Sequence, residues 1–205
     1  MVEFIFILVV VGILASILVP SSRDNRLREA ADQVVSHIRY TQHLAMMDDK
    51  FSPGDDVWFK KRWQILFEQE GVNWYYTIFS DDDMDGNPQS TEIAKNPQNP
   101  SQRLTGATAD NATQDLNLGK TYGIIGATGV TFNNNCGAGN RRIVFDYIGR
   151  PMQSDPKDYG RPYTTTNLIT STTPHLCTIT LTDNSGRSAN ITIQPETGFA
   201  QVLPF

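Results

Sequence analysis

The chain has 205 residues, 39% hydrophobic and 19% charged, an ordinary globular balance and length enough for one well-buried domain with an appendage. Its net charge of -5 excludes adhesion to nucleic acid or anionic lipid through bulk charge, so any such contact needs a local basic patch. The two cysteines, Cys136 and Cys177, stand outside any CxxC or Cys/His array, which excludes a zinc ribbon or a dithiol redox motif. In an oxidising compartment they are expected to pair, closing a loop of roughly forty residues worth on the order of 3 to 4 kcal/mol; in a reducing one they are buried thiols.

From Phe4 to Val19 the run FIFILVVVGILASILV carries no charge and must be buried in lipid or protein. With Met1 and Val2 it reaches just under the hydrocarbon thickness of about 30 Å, so residues 1–20 are expected to form a single-pass anchor. A cleavable secretory signal opens on Lys or Arg, whereas the leading charge here is Glu3, a carboxylate that is costly beside an apolar run unless a partner neutralises it. After Pro20, the residues Leu27, Ala30, Ala31, Val34, Val35, Ile38, Tyr40 or Thr41, and Ala45 recur at spacings of three and four, which predicts an amphipathic helix over 21–52. Pro20 is expected to kink the rod where its two halves meet, and Pro53-Gly54 to mark its end.

Glu3, the run GILASILVP, the spacing from Glu3 to Pro20 and the amphipathic continuation resemble the N-terminal helix of type IV pilins and type II secretion pseudopilins. The resemblance implies an α+β fold, in which a long kinked N-terminal helix packs on an antiparallel β-sheet domain spanning 53–205. It also implies a non-enzymatic structural subunit, anchored in the bacterial inner membrane with its distal domain in the periplasm, whose partners are other pilin or pseudopilin subunits. Glu3 is then expected to pair with the N-terminal ammonium of a neighbouring subunit, which removes two uncompensated charges from the bilayer together. In the family a basic leader and a Gly-Phe junction, cut by prepilin peptidase before methylation, precede this glutamate. Only Met1 and Val2 precede Glu3 here, so the gene is expected to continue upstream.

Beyond Phe51 the pattern turns to short runs bounded by Gly, Pro, Asn and Asp, which predicts strands at 63–68, 74–79, 129–132, 142–145, 176–182, 189–193 and 200–202. Most alternate apolar with polar residues, as in an antiparallel sheet covered on one face, here by the amphipathic half of the helix. The aromatic residues Trp58, Phe59, Trp63, Trp74, Tyr75 and Tyr76 are expected in the core. Phe145, Gly149 and Gly198 before the last strand resemble the globular domain of H-type minor pseudopilins. With the helix this covers roughly two thirds of the chain, leaving the Asn- and Thr-rich portion between Lys95 and Tyr122 without a counterpart.

One local pattern fits a metal. Asp81-Asp82-Asp83-Met84-Asp85-Gly86 with Glu92 matches the calcium-loop template D-x-[DN]-x-[DN]-G-x5-E. Asp81, Asp83 and Asp85 would give side-chain oxygens, Asn87 a backbone carbonyl, Gln89 a ligand through water and Glu92 two oxygens to a structural Ca2+. The competing reading is a solvated acidic turn after a strand. For catalysis the sequence offers nothing: His37, His43 and His175 are scattered, and no HExxH, GxSxG or P-loop is present. Arg141, Arg142, Arg150 and Arg161 concentrate basic charge in the distal domain. Arg141 and Arg142 are the candidate phosphate contacts if the chain is instead a filament-tip module for DNA or a secreted substrate.

Overall fold

The computed structural model describes residues 3–5, 7, 9–11, 22–137, 141–163, 168–169 and 176–204. The organising element is α1, Ser22–Met47. Its apolar positions fall on one stripe, and Leu27, Ala30, Ala31, Val34, Val35, Ile38 and Ala45 are all buried, as the spacing requires. Thr41 lies in the same stripe; its hydroxyl donates to the His37 carbonyl at 2.8 Å, so no polar atom is orphaned there. The helix stops at Met47, ahead of Pro53-Gly54. The described residues between Glu3 and Val11 are helical and exposed, Pro20 lies outside the described residues, and among these no helix is long and apolar enough to cross a membrane.

Among the described residues eight strands form two antiparallel sheets, where the alternation pattern suggested one. The first contains β1 (Trp63–Glu70), β2 (Asn73–Ser80), β4 (Arg142–Phe145) and β5 (Pro151–Met152), in the order β2-β1-β4-β5. The second contains β3 (Val130–Phe132), β6 (Cys177–Thr182), β7 (Ser188–Ile193) and β8 (Ala200–Val202), in the order β3-β6-β7-β8. Register follows apolar pairing: Ile65 opposes Ile78 and Ile143, Phe67 opposes Tyr76, and Ile179 opposes Ile191. α1 lies against β1 and β4 of one sheet and β6, β7 and β8 of the other.

The second sheet keeps the expected one-sided covering, with Cys177, Ile179 and Leu181 buried and the alternate Thr178, Thr180 and Thr182 partly exposed. The first sheet does not. Gln64, Ile65, Leu66 and Phe67 are all buried, because a second cluster of Trp58, Phe59, Val144, Met152, Tyr159 and Leu168 covers the face away from α1. Of the aromatic residues expected in the core, Trp74 and Tyr76 lie on the α1 side, Trp58 and Phe59 in the second cluster and Trp63 partly buried against the main one, whereas Tyr75 joins neither and stays half-buried.

Polar side chains of α1 pin it to both sheets. Gln42 Nε2 donates to the Gly149 carbonyl at 2.8 Å, in the β4–β5 turn, and to the Thr197 carbonyl at 2.6 Å, in the β7–β8 turn. Gly198, at φ +66°, sits so close to this clamp that a Cβ would meet Gln42 Nε2 and the Gly149 carbonyl, each at 2.6 Å, and the Phe145 ring edge at 3.0 Å. The Phe145, Gly149 and Gly198 positions therefore meet at one point. The segment without a counterpart also has a structural role: it carries α2 (Leu118–Tyr122), and Leu104, Leu116, Leu118 and Tyr122 from it join the main core.

Cys136 and Cys177 are joined as a disulfide between buried side chains, linking the segment after β3 to the start of β6. Replacing both by Ser should lower the unfolding free energy by about 4 kcal/mol on the chain-entropy argument, read from urea unfolding under non-reducing conditions.

His37, half-buried on α1, shares a partly buried chain of hydrogen bonds. Tyr122 donates to Gln33 Oε1 at 2.6 Å, Gln33 Nε2 donates to the Tyr76 hydroxyl at 2.9 Å, and Tyr76 lies 2.7 Å from His37 Nδ1. The neutral ring suits this contact, since an unprotonated Nδ1 can accept the Tyr76 hydroxyl proton while the hydroxyl oxygen accepts from Gln33. Burial lowers the His37 pKa from 6.5 to about 4. Folding favours the neutral ring, so stability is full above 6.5 and is lost as pH falls toward about 4. Between pH 7 and pH 5 this group should remove about 1–2 kcal/mol, and His37→Gln should flatten that part of the urea stability profile.

Candidate functional site

The acidic segment is a closed loop hung on the end of β2. Ser80 N–H donates to the Glu92 carbonyl at 3.2 Å, and Phe79 bridges Ile93, so the chain leaves the sheet at Asp81 and returns at Glu92. Inside, each carboxylate captures backbone amides ahead of it. Asp83 Oδ1 accepts from Asp85 N–H at 3.1 Å, Asp85 Oδ1 from Asn87 N–H at 2.6 Å, and Asp81 Oδ2 from Gly86 N–H at 3.0 Å. Met84 and Gly86 take φ of +64° and +87°, which turns the chain back over Asp81.

Glu92 is the clasp. Its Oε1 accepts from Asp82 N–H at 2.7 Å and Asp83 N–H at 3.1 Å, and its Oε2 accepts from Gln89 N–H at 3.0 Å. The residue is 7% exposed, and its carboxylate organises the backbone rather than joining the other acids. The carboxylates that do converge are Asp81, Asp83 and Asp85, each with an oxygen within 4.8 Å of the others. Asp81 is fully buried, and its Oδ1 has no hydrogen-bond partner. Burial, reinforced by the charges of Glu92, Asp155 and Asp83 and opposed by the Gly86 amide, pushes its carboxyl up to about 6. Asp85 moves the other way, held below the usual carboxylate range by the Asn87 amide. Gln89 donates from Nε2 to Asp85 Oδ2 at 2.7 Å, while its buried Oε1 has no partner. The Asn87 side chain is exposed.

The loop rests on a floor that its own spacing does not announce. Arg142, on β4, is nearly buried; its Nη1 donates to Gln64 Oε1 at 2.8 Å and pairs with Asp155 Oδ2 at 3.0 Å, while Nη2 donates to the Gly86 carbonyl at 3.2 Å. Lys157 donates to the Asp85 carbonyl at 3.2 Å. Arg142 is thus engaged inside the domain, and a guanidinium holding these partners cannot turn out to a phosphate. Its neighbour Arg141 is exposed and stacks over the Trp74 ring, 4.8 Å from the centroid. Arg150 pairs with Asp146 at 2.7 Å, and Arg161 is exposed. Of the four arginines, Arg142 is held inside the domain and Arg150 is paired, which leaves Arg141 and Arg161 exposed.

Glu3 is exposed on its helical segment, His43 is exposed on α1, and His175 lies outside the described residues. No family model, curated protein or solved structure matches the chain.

Gly86 tests the floor. A Cβ there would meet Asp155 Oδ2 at 2.6 Å and Lys157 Nζ at 2.8 Å, in addition to the strain of a positive φ. At Gly71, φ +62°, a Cβ meets nothing within 4 Å. Gly86→Ala should therefore cost about 2–3 kcal/mol and Gly71→Ala about 1 kcal/mol in urea unfolding. Equal losses would show that the Asp155 and Lys157 cradle contributes nothing.

Proposed function

We propose that the chain is a structural, non-enzymatic subunit of a type IV pilus-like or type II secretion filament, most akin to a minor pseudopilin. One observation carries the reading: the helical residues Phe4, Ile5, Ile7, Val9, Val10 and Val11 are exposed, Phe4 to 75%, and the folded domain covers none of them. Uncovered apolar helical surface is covered by lipid before assembly and by the like helices of neighbours afterwards. Glu3 at the head of that surface is the charge that a neighbour's ammonium would neutralise. In this reading α1 continues the anchor as one rod kinked at Pro20, and the two-sheet domain lies in the periplasm. The disulfide between Cys136 and Cys177 agrees with an oxidising compartment.

The reading is tested in a bacterium expressing the chain from its native locus. Glu3→Leu should leave the protein in the membrane fraction but lower its recovery in sheared filaments or pseudopili by about tenfold or more, since breaking a desolvated ion pair costs several kcal/mol. Mass spectrometry should find a processed, methylated N-terminus that is lost without prepilin peptidase. Undiminished recovery of the variant, with a terminus indifferent to the peptidase, would overturn the assignment.

A further inference from the structure

Asp81 Oδ1 is a carboxylate oxygen removed from water with no donor to receive, a condition that folded chains rarely tolerate. Its sister oxygen is already satisfied by Gly86 N–H, so rotating the group would only exchange one orphan for another. Asp83 and Asp85 each bring a carboxylate oxygen within 4.8 Å of one of the Asp81 carboxylate oxygens. Among the described residues no ion pair reaches Asp81, Asp83, Asp85 or Glu92; the nearby Lys50 bridges Asp82 at 3.6 Å, and Arg142 bridges Asp155.

We propose that Asp81, Asp83 and Asp85 form a calcium site, with Asp81 Oδ1 as its buried anchor and Glu92 as the clasp that holds the backbone around it. Ligands of a single Ca2+ stand at 2.3–2.6 Å from the ion, so two of its oxygens can lie up to about 5 Å apart, and the observed separations accommodate one ion. All the donors are hard oxygens, which suits calcium and not zinc. Gln89 Oε1, the loop's other buried oxygen without a donor, is available as a neutral ligand. The flanks are a strand and an extended return at Ile93 rather than two helices, so the ion stabilises this loop instead of opening a groove.

The test is calorimetric titration of the chelator-stripped full chain, in detergent, with CaCl2 at physiological ionic strength. One equivalent should bind with Kd between about 10⁻⁵ and 10⁻³ M, and saturating calcium should raise Tm by several degrees. Asp83→Asn, an exposed change that spares the fold, should weaken binding about tenfold or more. Asp82→Asn removes the same charge from the same loop but lies outside the ligand set, and should leave Kd within about twofold. Absence of stoichiometric binding up to several millimolar calcium would overturn the site. Equal losses in the two variants would reduce it to diffuse charge attraction, and an equal Tm rise with MgCl2 alone would remove the assignment to calcium.

Discussion

The fold depends on a single shared wall. Each four-stranded sheet turns an apolar face toward α1, whose one apolar stripe serves both, with Leu104, Leu116, Leu118 and Tyr122 closing the core beside it. Ala30 and Ala31, fully buried at the centre of that stripe, let strand and helix backbones approach, while Leu27, Val34, Val35 and Ile38 fill the space around them. Each of these larger side chains contributes about 1.5–3 kcal/mol on burial. That supply of apolar area is modest for two sheets, which explains why polar groups of the same helix are recruited as pins. Arg39 donates twice to the Ala200 carbonyl, Gln42 holds a turn from each sheet, and Gln33 joins Tyr76 to Tyr122.

What could be read from the sequence was what is local. The stripe on α1 emerged at every position but one, where Tyr40 and Thr41 stood as alternatives and Thr41 is the buried one, because a 3.6-residue period leaves its mark on every turn. Seven strands were legible from alternation and from flanking Gly, Asn and Asp. β5 was missed because two residues cannot display a period, and a proline within a strand is confined to edges such as this one. The partition into two sheets was not legible either, since nothing in β4 announces that it pairs with β1, more than seventy residues earlier. The single-sided covering expected of the first sheet failed for a related reason: the Trp58 and Tyr159 cluster comes from segments with no periodicity of their own.

The acidic loop divides in the same way. The residues that converge, Asp81, Asp83 and Asp85, were apparent from spacing alone, because alternate positions in a tight turn project toward one centre. Glu92 was expected to offer both oxygens to a metal and instead binds three backbone amides. No template of side-chain identities records where the amides point. Arg142 shows the converse error. Read beside Arg141 it suggested a basic patch, but Arg142 is the first residue of β4 and faces inward onto Gln64, Asp155 and the Gly86 carbonyl, while Arg141, just before the strand, is exposed.

The return of the loop settles the state of a sheet margin. On the outer side of β2, Trp74 N–H meets the Ile124 carbonyl and the Tyr76 carbonyl takes Gly106 N–H. Ile78 exchanges bonds with Leu104 and Ala94, and Ser80 N–H meets Glu92. Every second residue along that margin is therefore already bonded within its own chain. A neighbouring molecule finds no open ladder there to extend, so strand addition and fibrillar stacking are closed off along this flank. The irregular connection between the second and third strands thus works as a selvedge, finishing an edge that would otherwise unravel into its neighbours.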